Sequence, residues 1–223
     1  MKIQWSYSSL KTFEQCPKKY YHLKVAKDVV DEAGEAAAYG TLVHKAAEDY
    51  VRDGVAIPEK FKYMQPILDA LNKIPGKKHC EMELGIAIRN GKFVACKFDD
   101  PDYWWHGIAD LVIINHGLAY LVDYKTSKNA RYADTKQLDL LAAALFLHYP
   151  TILEIRSALI FVVSNEFVKK DHDRVLREKY LSIVRPELER LEVALKENVW
   201  NPVSGPLCGF CPVSSCVHHR KRK

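Results

Sequence analysis

The sequence predicts an α/β protein, a central mixed β-sheet flanked by helices, and three changes of pattern along the chain carry that reading. Apolar residues recur at helical spacing up to about residue 73, alternate with polar ones from Cys80 through two hairpins, and then return to a helix, a buried strand and more helix. With 223 residues, 48% of them apolar and 27% charged, the chain is sized for one domain, 1–223, without internal repeat or long linker. Such a composition excludes a wholly disordered chain, a collagen-like fibre and a coiled-coil rod. No apolar run reaches the roughly 18 residues of a membrane span. The opening MKIQWSYSSLKTF has neither a continuous apolar stretch nor a small-residue cleavage site. The expected setting is intracellular, in the cytoplasm and away from membranes.

Residues 7–25 start on Tyr7-Ser8-Ser9, which suits a helix N-cap, and place Leu10, Phe13, Tyr20, Tyr21 and Leu23 at helical spacing around a break at Cys16-Pro17. Residues 38–53 read as a helix through the stripe Leu42, Val43, Ala46, Ala47 and Tyr50, ending at Gly54. Residues 58–73 repeat the pattern behind Pro58 through Phe61, Ile67, Leu68 and Leu71. Cys80, Met82, Leu84, Ile86 and Ile88 then alternate with Glu81, Glu83, Gly85, Ala87 and Arg89, and Asn90-Gly91 turns this strand into the next. A second hairpin, GIADLVIINHGLAYLVDYK, has His116-Gly117 at its tip. A largely apolar helix Thr135–His148, a buried strand Ile155–Val163 and a long helix Asp171–Asn198, kinked or split by Pro186, complete the expectation.

Lys and Arg number 33 against 28 Asp and Glu, a net +5 that suits nucleic acid without requiring it. Four of those charges sit in the terminal run His218–Lys223, which reads equally well as a solubilising tail. Six cysteines in an intracellular chain argue against a disulfide framework. Cys80 and Cys96, in strand-like contexts, read as core thiols. Cys208, Cys211 and Cys216 crowd into PLCGFCPVSSC, with Cys16 far off in EQCPKKYYH. Four thiolates suit a [4Fe–4S] cluster or a tetrahedral zinc. Zinc could also be held by the C-terminal three with His218 or His219, leaving Cys16 as a core thiol.

The second hairpin carries the chemistry. A two-residue loop at His116-Gly117 sets Asp110 directly across the ladder from Asp123, with Cβ atoms about 4.5–5.5 Å apart, and Lys125 on the same face as Asp123. Two carboxylates opposed within apolar strands repel one another, and a divalent cation between them would relieve the strain. Hard oxygen ligands, an open coordination site and a neighbouring ammonium are what metal-assisted phosphodiester hydrolysis requires. A three-residue loop Asn115–Gly117 would instead put the aspartates on opposite faces unless a bulge restored them. A surface hairpin with scattered charges is the plain alternative.

The order Gly107-Ile108-Ala109-Asp110, Asp123-Tyr124-Lys125 and then Gln137 at a helix start resembles the PD-(D/E)XK nuclease superfamily, with its restriction-endonuclease-like core. Gly40-Thr41-Leu42-Val43-His44 resembles the G-x-x-x-H helix of the RecB-like branch. Ser6–Leu10 with Cys16-Pro17, together with the C-terminal cysteines, resemble the iron–sulfur members of that branch, among them the AddB nuclease domain and CRISPR-associated end-processing exonucleases. The resemblance implies metal ligation by His44, Asp110, Asp123 and the Tyr124 backbone carbonyl. It further implies that Lys125 activates the attacking water and that Gln137 positions that water or the lysine. Glu81 or Glu83 could assist from a preceding strand. It also favours a [4Fe–4S] cluster on Cys16, Cys208, Cys211 and Cys216 over zinc, and Mg²⁺ or Mn²⁺ as the catalytic ion. One departure is Leu141, where the family often has a tyrosine four residues after the glutamine.

The activity implied is a metal-dependent DNA exonuclease at single-stranded or resected ends. Lys18, Lys19, Arg131 and Lys136 would grip phosphates, and Tyr20, Tyr21, Trp104 and Trp105 would stack on bases or pack in the core. No G-x-x-x-x-G-K-[ST] motif is present, so such an enzyme would act alone or serve a helicase or recombination partner. The competing readings are a catalytically silent nucleic-acid-binding module of the same fold and a zinc-knuckle binding protein.

Overall fold

In chain order the elements are α1 (Tyr7–Gln15), α2 (Pro17–Tyr20) with a π-helical continuation (Tyr21–Ala26), α3 (Glu35–Asp53), a 3₁₀ segment (Glu59–Met64) leading into α4 (Gln65–Lys73), and strands β1 (Lys77–Arg89), β2 (Lys92–Cys96), β3 (Tyr103–Asn115) and β4 (Leu118–Lys125). Then follow α5 (Lys136–His148), β5 (Glu154–Phe161), β6 (Glu166–Asp173), α6 (Arg177–Ser182) and α7 (Arg185–Glu197). The computed structural model describes residues 3–31, 34–131 and 133–220; Lys221–Lys223 of the predicted basic tail lie outside them. Two compact units result, Glu35–Ile183 and Met1–Gly34 with Val184–Lys223. No helix among the described residues is long and apolar enough to cross a membrane.

The larger unit holds a six-stranded sheet in the order β2-β1-β3-β4-β5-β6. Every neighbouring pair is antiparallel except β4–β5, which are parallel and joined through α5. This is the mixed, helix-flanked sheet that the sequence predicts. Asn90 and Gly91, at φ 52° and 73°, make the tight turn that pairs Arg89 with Lys92. α3 and α4 cover one part of the sheet, where Val43, Phe61, Met64 and Leu68 meet Leu111, Ile113 and Val122. Each such fully buried side chain contributes about 1.5–3 kcal/mol. Cys80 and Cys96, expected in the core, are only half-buried.

The smaller unit packs α1 against α7. Ser6 caps α1, its Oγ accepting from the Ser9 amide at 3.3 Å. Leu10, Phe13, Leu188 and Leu191 are buried, and Arg190 lies over the Phe13 ring at 5.9 Å. Pro17 opens α2, where its missing N–H costs nothing.

The helical stretch expected over 171–198 is split at Pro186, which lies in the first turn of a new helix beginning at Arg185, but its expected start fails: Glu166–Asp173 is a strand and α6 begins only at Arg177. The inner face of β6 is Val168, Lys170 and His172, so only one apolar residue marks it and no alternation is visible in the sequence.

Gly107, in the G-I-A-D run, has a steric reason to be glycine. A Cβ there would lie 2.6 Å from Trp105 Cζ2, and Trp105 is 1% exposed with no room to retreat. At Gly40 a Cβ would meet Thr126 Oγ1 at an ordinary 3.6 Å. Gly107→Ala is therefore expected to lower stability by about 1–3 kcal/mol through overpacking, whereas Gly40→Ala, inside a helix, should lose none. Urea midpoints check both; a Gly107→Ala protein as stable as wild type would overturn the steric account.

Candidate active site

The β3–β4 register runs from Asn115↔Leu118 to Leu111↔Val122, so the loop is the two residues His116 and Gly117. The next opposed positions are Asp110 and Asp123, the pair expected across the ladder. There the Tyr124 amide donates to Asp110 Oδ2 at 2.6 Å. Both carboxylates are buried, Asp110 at 8% and Asp123 at 2% exposure. β4 continues in parallel with β5 through Lys125↔Phe161, which holds the Asp123-Tyr124-Lys125 segment on a rigid element.

α3 brings His44 over this end of the sheet. Its Nδ1 lies 3.3 Å from Asp110 Oδ1 and its Nε2 donates to the Tyr124 carbonyl at 3.0 Å. The third member is Glu81. Cys80↔Leu111 and Met82↔Ala109 pair on either side of it, which sets Glu81 across from Asp110. Its φ is +51°, a costly conformation for a residue with a Cβ and one that clusters at functional sites. Ligand atoms of His44, Glu81 and Asp110 all lie within 4.8 Å of one another, the one such group among the described residues.

Asp123 stands just outside that group. Its Oδ2 is 2.5 Å from Lys125 Nζ, at ion-pair distance but without the alignment of a hydrogen bond, and this buried oxygen has no other polar partner. Lys125 also donates to Gln137 Oε1 at 3.1 Å, from the first turn of α5. The lysine is thus held between an acid and an amide.

The electrostatics describe crowded carboxylates with little compensating positive charge. Burial, and then repulsion from Asp110, pushes Asp123 up to about 6 despite Lys125. Burial and the Asp110 charge raise Glu81 as well. Burial alone would lower His44, but its hydrogen bond to Asp110 and the charges of Asp110, Asp123 and Glu81 raise it instead. All three groups move as they do when carboxylates crowd with too little positive charge nearby. Two or three carboxylate oxygens, an imidazole and a backbone carbonyl fit Mg²⁺ or Mn²⁺. The buried Asp123 oxygen, which meets no polar group besides the Lys125 ammonium, is the further sign that the donor set suits a cation.

The other expected residues are placed as follows. Tyr20 is a correction: it is 6% exposed, edge-on to Phe13 at 5.6 Å and stacked on Trp200 at 6.0 Å, so it packs the small unit and offers no face to a base. Trp105 is buried too, and Trp104 lies 4.8 Å from Phe93. Lys19 pairs with Asp31 at 2.9 Å, and Lys18 is half-buried on α2. Arg131 is exposed and Lys136 half-exposed, both on the stretch between Lys125 and Gln137. Cys16, Cys208, Cys211 and Cys216 line one cavity of about 320 Å³ with His219, all in the small unit. Cys16 Sγ accepts from the Val203 amide at 3.4 Å and Cys208 Sγ from Gly205 at 3.3 Å. No three of these side chains come within 4.8 Å of one another, so the cysteines form no tight ligand group.

Glu81 is the residue that sequence reasoning undervalued. Strict alternation on β1 marks it only as a polar neighbour of Cys80 and Met82, and its left-handed backbone is not written in its residue type.

A cation site of this make-up, with an ammonium fixed beside it, belongs to enzymes that cut phosphodiester bonds. The chain belongs to the PD-(D/E)XK nuclease superfamily, whose family model matches residues 4–216. No curated protein matches it significantly. Among solved structures, a Eubacterium rectale protein bearing the provisional name of exonuclease is similar at 16% identity and TM-score 0.53, over 100% of this chain and 90% of that one. SSO0001 is similar at 13% identity and TM-score 0.47, over 99% and 88%. At 16% identity the likeness to the first of these concerns the fold alone.

The raised Asp123 gives a pH signature. The folded state keeps a proton that the unfolded state releases from about pH 4 upward, so this group's contribution to the metal-free protein's stability declines as pH rises towards about 6. Cation binding needs the ionised form and strengthens over the same range. Melting scans should show a larger Mn²⁺-induced rise in Tm at pH 7.5 than at pH 5, and the metal-free decline should be shallower in Asp123→Asn. An equal Mn²⁺ effect at both pH values would contradict this linkage.

Proposed function

We propose that the protein is a divalent-metal-dependent deoxyribonuclease, an exonuclease acting on single-stranded or resected DNA ends. The observation that carries this reading is the convergence of His44, Glu81 and Asp110 beside a lysine held between Asp123 and Gln137. His44, Glu81, Asp110, Asp123 and the Tyr124 carbonyl would hold the ion. When bound, Mg²⁺ or Mn²⁺ supplies Lewis-acid polarisation of the phosphate and a lower pKa for the attacking water.

The chain's own residues do the rest. Lys125 presents its ammonium where negative charge grows on the phosphoryl oxygens as water adds and the ester oxygen departs. Gln137 takes one N–H of Lys125 and Asp123 faces another side, which fixes the direction of the remaining proton. Asp110 anchors the Tyr124 amide and so aims the adjoining carbonyl. Arg131 and Lys136, on the stretch after Lys125, suit the role of phosphate grips.

End-labelled single- and double-stranded DNA, incubated with Mg²⁺, Mn²⁺ or chelator, tests the proposal. Wild type should shorten linear strands only with metal and spare a circular single strand. Asp110→Ala and Lys125→Ala should each lose about 10²–10³-fold in kcat. Activity surviving both substitutions would sink the site; cleavage of the circle would replace exonuclease by endonuclease.

We further propose that Cys16, Cys208, Cys211 and Cys216 hold a [4Fe–4S] cluster, supported by their sharing one cavity. Protein purified without oxygen should contain iron and acid-labile sulfide and lose both in Cys208→Ala. Stoichiometric zinc without iron would end this reading.

A further inference from the structure

α5 is apolar on every side: Leu138, Leu140, Leu141, Leu145 and Phe146 are all buried, together with three alanines. A helix with no polar face buries nearly the same area in several rotations about its axis, so burial alone does not decide where Gln137 points. At the far end of the helix His148 Nε2 donates to the Gly85 carbonyl at 2.8 Å, and within it one buried residue breaks the pattern. Asp139, 1% exposed, accepts from His172 Nε2 at 2.9 Å and from Lys170 Nζ at 2.8 Å, both on β6. His172 is itself 2% exposed, edge-on to Tyr180 at 4.9 Å. Ser157 Oγ donates to the Lys170 carbonyl at 2.8 Å. Just beyond β6, Arg174 donates to the carbonyls of Phe146, Tyr149 and Ile152 at 2.6–2.8 Å and so closes the C-terminal end of α5.

We propose that Asp139, Lys170 and His172 are positioning residues that set the rotation and height of α5, and through it the grip of Gln137 on Lys125. The inference rests on the nuclease reading above for its consequence, and on the buried contacts alone for its geometry. Gln137 and Asp139 are two residues apart, about 200° around the helix. One faces the end of β4 and the other faces β6, two strands and about 10 Å away. A slip of one residue turns the helix by about 100° and shifts it about 1.5 Å. Such a slip would move Gln137 off the lysine and leave a buried carboxylate unpaired, a far worse outcome than a misplaced leucine.

A double-mutant cycle on DNA cleavage with Mn²⁺ tests this. Asp139→Asn should lower kcat about tenfold with KM and the Mn²⁺ requirement unchanged, as small misplacements in an active site do. Added to Gln137→Ala, it should cost less than a further twofold, because the grip is already gone. Independent, multiplicative losses would overturn the proposal, as would a wild-type kcat in Asp139→Asn. Lys170→Met keeps the His172 bond and serves if Asp139→Asn does not fold; it should show a smaller loss with the same non-additivity. A readout without turnover separates this inference from the nuclease reading. In ¹H–¹⁵N spectra the Gln137 side-chain amide pair, assigned by its loss in Gln137→Ala, should shift or broaden in Asp139→Asn and Lys170→Met. If it does so in a protein whose wild type cleaves no nucleic acid, the anchor stands and the nuclease reading falls. An unmoved pair overturns the anchor whatever the activity.

Discussion

The site depends on the register of one hairpin. Side chains on a strand alternate faces, so a slip of a single residue between β3 and β4 would send Asp110 to the opposite side of the sheet from His44. The two-residue turn at His116-Gly117, with His116 at φ 52°, fixes that register from one end. The parallel pairing of β4 with β5 fixes it from the other, and a parallel neighbour can be supplied only through a crossover. That crossover is α5, which carries Gln137. The connection that locks the strand is therefore also the one that delivers the residue holding Lys125.

Holding these acids together works against stability. Asp110 and Asp123 are buried within apolar strands, Glu81 sits in a backbone conformation that costs about 1–3 kcal/mol, and the carboxylates repel one another. Tyr124 N–H, His44 and Lys125 offset part of this but leave one Asp123 oxygen without an aligned donor. Strain of this kind persists only where the surroundings over-determine it. Here the apolar packing of α3 and α4 on the sheet supplies the surplus.

What the sequence made legible follows from which physical signals are local. Turn chemistry at Asn90-Gly91 and His116-Gly117 fixes registers by residue type and count, so the facing of Asp110 and Asp123 was readable before any coordinates. The position of Glu81 was not, because an irregular φ inside a strand reflects its neighbours. β6 escaped because its inward residues are Lys170 and His172, whose burial makes sense only beside Asp139 on another element. Tyr20 reads the same in sequence whether it stacks on a base or on Trp200. Cys16 and the C-terminal cysteines do share a cavity, yet thiol spacing along the chain says nothing of the distance between sulfurs in space.

The misread strand β6 and the buried carboxylate inside α5 are two sides of one contact. An apolar helix over a sheet is favoured by area, and area is indifferent to rotation. A buried carboxylate with two matched donors adds little net stability, since its desolvation offsets most of the attraction. It does make every other rotation expensive. Asp139 thus acts on the choice among packed states more than on the depth of any one of them, and the lysine proposed to act in catalysis needs that kind of constraint. The proposed metal ligands come from strands and from α3, whose places are fixed by ladder bonds and a one-sided apolar stripe. Lys125 alone is oriented by a residue on a helix lacking both, and there the fold spends a buried ionic contact.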